Sequence, residues 1–359
     1  MIAILLSPLV PPCAQSAPIS SSGPGKGDAK KFGFERPLNL QWLPNDARQW
    51  ARYDRSILVT DLRQATPASA LTQGKREKGK WKVLPFETAD FKGYALSIYG
   101  RTEPAPVRLP LTVSGWHAVY VGVCTVSGGL DAPQPNGLRA KLARASVYRR
   151  IANNLMLLPS RRDTIQEHFL TVAKLDPGES IDFAPMPYAP ATVTHVRLVP
   201  ISEPERAAWE KENSDPAFRS AIATFDGHSW IWPYRPRTRE DLLENFEGFQ
   251  GTDFRKWWFQ ILGADLVFYP SRLGTIPGAG TVDFSRWEHE EFTRSAEALI
   301  ANGVNALKVA RDVAREQGSE FHVMIRPQGW GASIPWEETF NSKFYHAHPE
   351  WRCVDREGR

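Results

Sequence analysis

The residues best suited to chemistry stand in three predicted strands of the second half of the chain. Asp226 ends the first strand, Gln260 lies in the second and Arg326 ends the third. Because side chains alternate along a strand, Asp226 shares a face with Ile222 and Thr224. Asp226 and Arg326 then lie near one rim of the predicted sheet and Gln260 points to the same side, and we expect Arg326 to contact substrate or a catalytic acid. The alternatives are that Asp226-Gly227 is only a turn and that Arg326 neutralises a buried carboxylate.

The third predicted strand, residues 321–326, shows the expected two-faced pattern. Its apolar residues Phe321, Val323 and Ile325 should face covering helices, which leaves His322 and Met324 pointing with Arg326 to the opposite side. General acid–base catalysis by carboxyl groups needs a pair of them at one site, one protonated and one ionised. No convincing pair is present, so the catalytic residues stay unassigned.

Tryptophans follow the same predicted strands. Trp230, Trp232 and Trp330 offer flat apolar faces that can stack on sugar rings, although tryptophans near such loops are also common in plain cores. His346, His348 and Glu350 would lie on one side of an extended segment and could hold zinc. We favour a hydrogen-bonded loop anchor there and expect no metal and no cofactor, since phosphate-loop, nucleophile-elbow and H-E-x-x-H motifs are missing from the sequence.

The elements of the second half alternate between strands and helices. Thr238 and Asp241 form a capping-box pattern before one helix, and Ser285 and Glu288 form another before a second helix that stops at Asn302-Gly303. Such alternation predicts parallel strands of a (β/α)8 barrel, but residues 217–359 supply about 140 of the roughly 250 residues that a barrel needs. We therefore expect a partial barrel; the alternative is a small open α/β sheet.

The first half of the chain has a different sequence pattern. Short runs rich in β-branched and aromatic residues are separated by Gly and Pro, which predicts an antiparallel β-sandwich. Residues 138–158 are ambiguous between a basic amphipathic helix and one or two strands; we favour a strand and loop with solvated arginines. The predicted organisation is a signal peptide (1–17), a flexible linker (18–36), a β-sandwich (37–201), a linker helix (202–216) and the partial barrel (217–359).

The charge balance and the apolar start of the chain limit the kinds of partner and location that we expect. The 44 Lys and Arg residues exceed the 40 Asp and Glu residues by only 4, which disfavours nucleic acid as the main partner. The apolar start, residues 1–10, is too short to span a membrane and suits a signal peptide, although no Lys or Arg precedes Lys26. A frayed apolar terminus is the alternative. We expect a secreted or periplasmic protein; the sequence does not predict its oligomeric state.

Residues 344–359, FYHAHPEWRCVDREGR, resemble the HPEW…D-x-x-G block of bacterial glycosyl-hydrolase-like proteins of the family-10-like group. In that group the block follows the third barrel strand, whose end carries an Arg and a Trp, matched here by Arg326 and Trp330. Asp226-Gly227 and the stretch from Phe268 to Ser271 are also similar. The resemblance covers residues 217–359 well and the sandwich loosely.

This resemblance implies a secreted glycoside hydrolase or hydrolase-like protein that acts on a polysaccharide or oligosaccharide. The main catalytic carboxylates of the group would belong to later strands, so we expect this chain by itself to be inactive. The alternatives are a non-catalytic carbohydrate-binding or cell-surface protein that uses the sandwich, and an anion-binding module built on the arginines of residues 138–162. The candidate substrate-binding residues are Asp226, His228, Trp230, Tyr269, Arg326, Trp330 and His348.

Overall fold

A computed structural model shows a mixed α/β protein in which the described residues form three β-sheets. The predicted signal peptide and linker, residues 1–36, lie outside the described residues. The structure describes residues 37–43, 46–98, 104–124, 136–153, 163–186, 189–215, 221–226, 231–261, 265–325, 332, 336–352, 354 and 356–357.

The largest sheet has nine strands and nearly closes on itself. Its main path runs β1-β5-β6-β13-β8-β11-β2, while β3 pairs with β13 and β4 with β5. Only Leu40 separates β1 from β2, yet these strands occupy opposite ends of the path, so the sheet must curl until its ends meet. The strands are β1 (Leu38–Asn39), β2 (Gln41–Leu43), β3 (Ile57–Val59), β4 (Leu71–Thr72), β5 (Trp81–Glu87), β6 (Lys92–Ile98), β8 (Gly115–Cys124), β11 (Thr164–Leu175) and β13 (Ala191–Pro200).

A four-stranded antiparallel sheet, ordered β10-β9-β12-β7, shares a hydrophobic core with the large sheet. Val121 and Val196 enter this core from the large sheet, and Leu138 and Phe183 enter it from the small one. The described part of residues 138–158 thus forms the end of β9, a turn and β10, and the helical alternative is wrong there. The strands are β7 (Val107–Pro110), β9 (Asn136–Leu142), β10 (Arg149–Asn153) and β12 (Ser180–Pro185).

A helix, α1 (Glu203–Ser214), follows the sheets at the predicted place. Ser202 accepts a hydrogen bond from the Glu205 backbone N–H, and the Glu205 side chain bonds back to the Ser202 N–H, which completes a capping box. Short 3-10 turns lie at Asp46–Gln49, Tyr53–Arg55, Leu62–Gln64, Ala68–Ala70, Glu247–Phe249 and Pro349–Trp351. No helix of the described residues has the length and apolar character needed to cross a lipid bilayer.

The third sheet is parallel, with β15 between β14 and β16. Helices pack on one face of it, where Trp257 and Phe259 join Phe292 and Val313 in a second core. The strands are β14 (Ala221–Phe225), β15 (Phe254–Ile261) and β16 (Glu320–Ile325), and the helices are α2 (Ile231–Tyr234), α3 (Arg239–Glu244), α4 (Trp287–Ala301), α5 (Ala306–Glu316), α6 (Glu337–Phe340) and α7 (Lys343–Ala347).

Two local predictions for this α/β unit are wrong. Ser285 does not cap α4, because the helix begins one residue later with Arg286 at its N-cap and without a side-chain cap. Val323 and Ile325 are exposed, although Phe321 packs against the core as expected. The reason is position: β16 pairs only with β15 within the described chain, so helix packing covers the start of this strand and leaves its end open. By contrast, the capping box of Thr238 and Asp241 is present at α3.

Contacts tie the sheets of the first half to the α/β unit. Val147, between β9 and β10, belongs to the core of the α/β unit. Arg139 of β9 forms ion pairs with Glu244 and Glu247, at 2.6 and 3.0 Å, and Arg150 of β10 pairs with Glu247 at 3.2 Å. Arg139 is therefore not a solvated charge as predicted; it holds the two halves together.

Candidate functional site

The parallel sheet presents its uncovered face to solvent, and this open face consists of Ile222, Thr224, Lys256, Trp258, His322 and Met324. The strand register aligns Thr224 with Trp258 and Trp258 with His322, which confirms the expected common face. The Trp258 side chain is 41% exposed although it occupies the central strand. Lys256, Trp258, His322, Val323 and Met324 enclose a shallow depression of about 310 Å³.

A small charged group borders the open face. Glu320 accepts a hydrogen bond from His322 Nε2 at 3.2 Å, and its carboxylate lies 3.7 Å from Lys256 Nζ. The hydrogen bond from His322 lowers the pKa of Glu320, with a smaller contribution from Lys256. Donors and an acceptor therefore surround an exposed indole, which is a suitable combination for holding a ligand that has both hydroxyl groups and apolar faces.

The sequence-predicted rim is only partly described. Asp226 is half-buried directly after β14, and Tyr269 is half-buried in the segment after β15. Gln260, opposite Met324 in the register, is buried as expected for an inward-pointing side chain. The candidates His228, Trp230, Arg326 and Trp330 lie outside the described residues.

An aromatic cluster that the sequence did not predict lies beside α4. The Trp232 ring stacks on Phe292 at 4.5 Å between centroids, and His289 stacks on Trp336 at 5.1 Å. His289 is buried, and burial lowers its pKa despite Glu338 at 3.9 Å. Trp232 is half-buried and packs against the core of the α/β unit. The helical spacing of residues 289, 292, 296 and 299 was the signal for a buried His289.

The segment of residues 343–351 folds into α7 and a 3-10 turn rather than into an extended strand. His348 stacks on Trp351 with ring centroids 4.4 Å apart, and its Nδ1 lies 3.0 Å from Glu350 Oε1. The extended geometry that would align His346 with these groups is therefore wrong, and the contacts of His348 are those of a loop anchor. Across the described residues, no group of three or more His, Cys, Asp or Glu side chains is arranged to hold a metal ion.

Comparisons with known proteins do not assign this chain to a family. No protein-family model matches the sequence, and no curated protein matches it. Among solved structures, the insecticidal crystal protein Cry2Aa is similar at 9% identity and TM-score 0.28, over 40% of this chain and 21% of that protein.

Glycoside hydrolases and carbohydrate-binding modules are also among these structures. The CBM36-1 domain of a multidomain xylanase from the hindgut metagenome of Trinervitermes trinervoides matches at 11% identity and TM-score 0.24, over 41% of this chain and 98% of that domain. Bacteroides uniformis β-glucuronidase 2 matches at 12% identity and TM-score 0.24, over 41% of this chain and 18% of that enzyme. Similarities this weak define neither the fold nor the function of this chain.

Proposed function

We propose that this protein is a carbohydrate-active protein of the glycoside hydrolase type, exported from the cell, and that the open face of the parallel sheet contributes to binding a polysaccharide or oligosaccharide. In this proposal the α/β unit is the first portion of a (β/α)8 barrel and the preceding sheets form an ancillary β-sandwich. The single observation that carries the proposal is the exposed Trp258 on the central strand, flanked by Lys256 and His322.

The one-sided packing of the sheet supports this assignment. Helices cover one face, while Ile222 and Trp258 remain 46% and 41% exposed on the other. In a (β/α)8 barrel the face opposite the helices is the barrel interior, and ligands bind at the carboxyl ends of its strands. Asp226 and Gln260 follow Thr224 and Trp258 on the same face toward those ends. In this proposal the sugar lies over Trp258, with Asp226 and Gln260 on the side of the carboxyl ends.

Resemblance in the sequence supplies the substrate class. The block of residues 344–359, together with Arg326 and Trp330, resembles a glycosyl-hydrolase-like group. We assign substrate contacts to Arg326, Trp330, Asp226, His228, Trp230 and Tyr269, while His348 anchors its loop through Glu350 and Trp351. Glycoside hydrolysis also needs two carboxyl groups across the scissile bond. We assign no such pair, and the proposed role of the open face is to position a sugar.

The test is retention of the purified protein in native gels that contain soluble polysaccharides such as xylan, mixed-linkage glucan or pectin. We expect at least one polysaccharide to retard the protein, and Trp258→Ala to weaken retention about tenfold because it removes the stacking surface. Trp287→Ala is the matched control, since Trp287 is 58% exposed at the start of α4 and does not belong to the open face.

Reducing-sugar release from the retained polysaccharide separates hydrolysis from binding. Absence of retention by every polysaccharide, or equal loss of retention in both tryptophan variants, would overturn the proposal. Retention that survives Trp258→Ala unchanged would overturn the role proposed for the open face.

A further inference from the structure

A cavity of about 740 Å³ lies where the two β-sheets of the first half, α1 and the α/β unit come together. Strands β9, β10 and β11 form one wall, α1 forms a second, and the turn before β15 and the end of α5 form the rest. Ligand pockets commonly occur at such junctions and have volumes of about 300–1,000 Å³. The cavity is separate from the open face of the parallel sheet.

The arginines of residues 138–158 differ in what they bind. Arg139 and Arg150 pair with glutamates of the α/β unit, and Arg144 pairs with Glu179 at 2.6 Å. Arg149 has no carboxylate partner among the described residues; its Nη1 donates to the Leu170 carbonyl at 3.0 Å. Arg149 is also the one of these four arginines that lines the cavity.

A second arginine, Arg255, stands in the cavity wall. It donates from Nη1 to the Gly318 carbonyl at 2.5 Å, and its Nε is buried without a hydrogen-bond partner. Its charge helps to lower the pKa of Glu320, but within the described chain no carboxylate forms an ion pair with it. The wall carboxylates are already engaged, Glu316 by Ser146 and Glu210 by Arg206. A half-buried guanidinium without an ion-pair partner is less well stabilised than a paired one, and an anionic ligand would supply the missing charge.

The backbone at Gly251 leaves room for the Arg149 guanidinium group, because glycine has no side chain. Gly251 adopts φ +67°, and a Cβ atom there would lie 2.8 Å from Arg149 Nη1. On another side the Phe169 ring lies 5.7 Å from Arg149 Cζ. Burial lowers the pKa of Arg149. The guanidinium is thus held between a glycine and an aromatic ring, and Trp209 of α1 adds a further aromatic side chain to the wall.

We propose that this cavity is a binding site for a small sugar-sized organic anion, whose carboxylate or phosphate group is held by Arg149 and Arg255 while its body lies against Phe169 and Trp209. Planar guanidinium groups match both anions in bidentate geometry. The proposal does not depend on the function proposed for the open face, because the two sites share no residue.

The experiment is isothermal titration of the full chain with glucuronate, glucose 6-phosphate and glucose, each at up to about 10 mM. Glucuronate tests a carboxylate ligand, glucose 6-phosphate tests a phosphate ligand, and glucose tests the neutral sugar of the same size. We expect at least one anion to bind and glucose not to bind. Arg149→Gln and Arg255→Gln should each weaken binding about tenfold or more, because each removes a charged hydrogen-bond donor.

Arg144→Gln is the matched control, since Arg144 is paired with Glu179 and does not line the cavity; binding should be unchanged in it. Thermal melting of all three variants identifies loss of folding, and the two cavity variants test the site independently of each other. Binding of neither anion, equal binding of glucose, or unchanged affinity in both cavity variants would overturn the proposal. None of these results would alter polysaccharide retention through Trp258, so the two proposals fail separately.

Discussion

At the residue scale, Glu167 anchors a buried charged network inside the nine-stranded sheet. Its carboxylate accepts hydrogen bonds from His195 Nε2 at 2.7 Å and from Arg197 Nε at 2.8 Å, and Arg197 also donates to Ser56 at 2.8 Å. Burial opposes the charge of Glu167, but the bonds and charges of His195 and Arg197 outweigh burial and lower its pKa. Glu167 and Arg197 therefore form a buried ion pair, and the His195 ring adds a hydrogen bond to the same carboxylate.

Glu167→Gln should destabilise the protein by about 3 kcal/mol, because it leaves the Arg197 guanidinium buried without a counter-charge. Urea unfolding followed by tryptophan fluorescence measures the change. Glu290→Gln is the control: it removes an exposed i,i+4 pair with Arg294 and should cost less than about 0.5 kcal/mol. An equal loss of unfolding free energy in the two variants would show that the buried network stabilises the protein no more than an exposed ion pair does.

His168 makes stability depend on pH. Burial, with a contribution from the Arg149 charge, lowers its pKa from 6.5 to about 4. Between these values the unfolded chain binds more protons than the folded one, so the free energy of unfolding is highest above pH 6.5 and falls as pH decreases toward 4. His168→Gln should remove about 3 kcal/mol of this fall.

Urea unfolding at a series of pH values from 4 to 7 measures this effect. His195 also has a pKa lowered by burial, so part of the dependence should remain in the His168 variant. His346→Gln, at an exposed position, should leave the curve unchanged. A His168 variant whose curve is parallel to that of the wild type would contradict the assignment.

At the scale of elements, Gly122 explains how Glu167 and His195 meet. These residues lie on β11 and β13, on either side of β8, and both align with Gly122 in the register. A Cβ at Gly122 would lie 2.3 Å from His195 Cε1. The absence of a side chain at this position of β8 thus leaves the space in which the network forms.

Gly122→Ala should therefore cost about 1–3 kcal/mol, because the new methyl group forces the His195 ring away from Glu167. Gly74→Ala is the matched control, since nothing lies within 4 Å of a Cβ built there. Chemical denaturation of both variants provides the comparison. If Gly122→Ala is as stable as Gly74→Ala, the packing around His195 must be looser than these distances indicate.

The elements themselves were predictable where the signal is local. The positions of β14, β15 and β16 and the capping residues of α1 and α3 were visible in the sequence, and the structure has strands and helices there. The Glu167 network, the Trp232 cluster and the pairing of Arg139 with Glu247 were not, because they join residues 28, 57 and 108 positions apart. Only the fold brings such side chains together, and a single sequence carries no record of the pairing.

At the scale of the whole molecule, the two halves are coupled through buried charges. Glu247 is 3% exposed at their junction, and burial raises its pKa even though Arg139 and Arg150 act in the opposite direction. Val147 adds an apolar contact across the same junction. A buried carboxylate with two arginine partners from the other half makes separate unfolding of either half unfavourable. We therefore expect the described sheets and the α/β unit to unfold as one cooperative body.

Arg139→Met should break this coupling, because the loss of one partner leaves Glu247 with incomplete compensation and should cost about 3 kcal/mol. Calorimetry should then show one transition in the wild type and two in the variant. Arg108→Met is the control, since Arg108 pairs with Asp182 inside the four-stranded sheet and its side chain is 56% exposed; it should cost less than about 1 kcal/mol and keep a single transition. A single transition in Arg139→Met, lowered no more than in Arg108→Met, would mean that apolar contacts such as that of Val147 are sufficient to couple the halves.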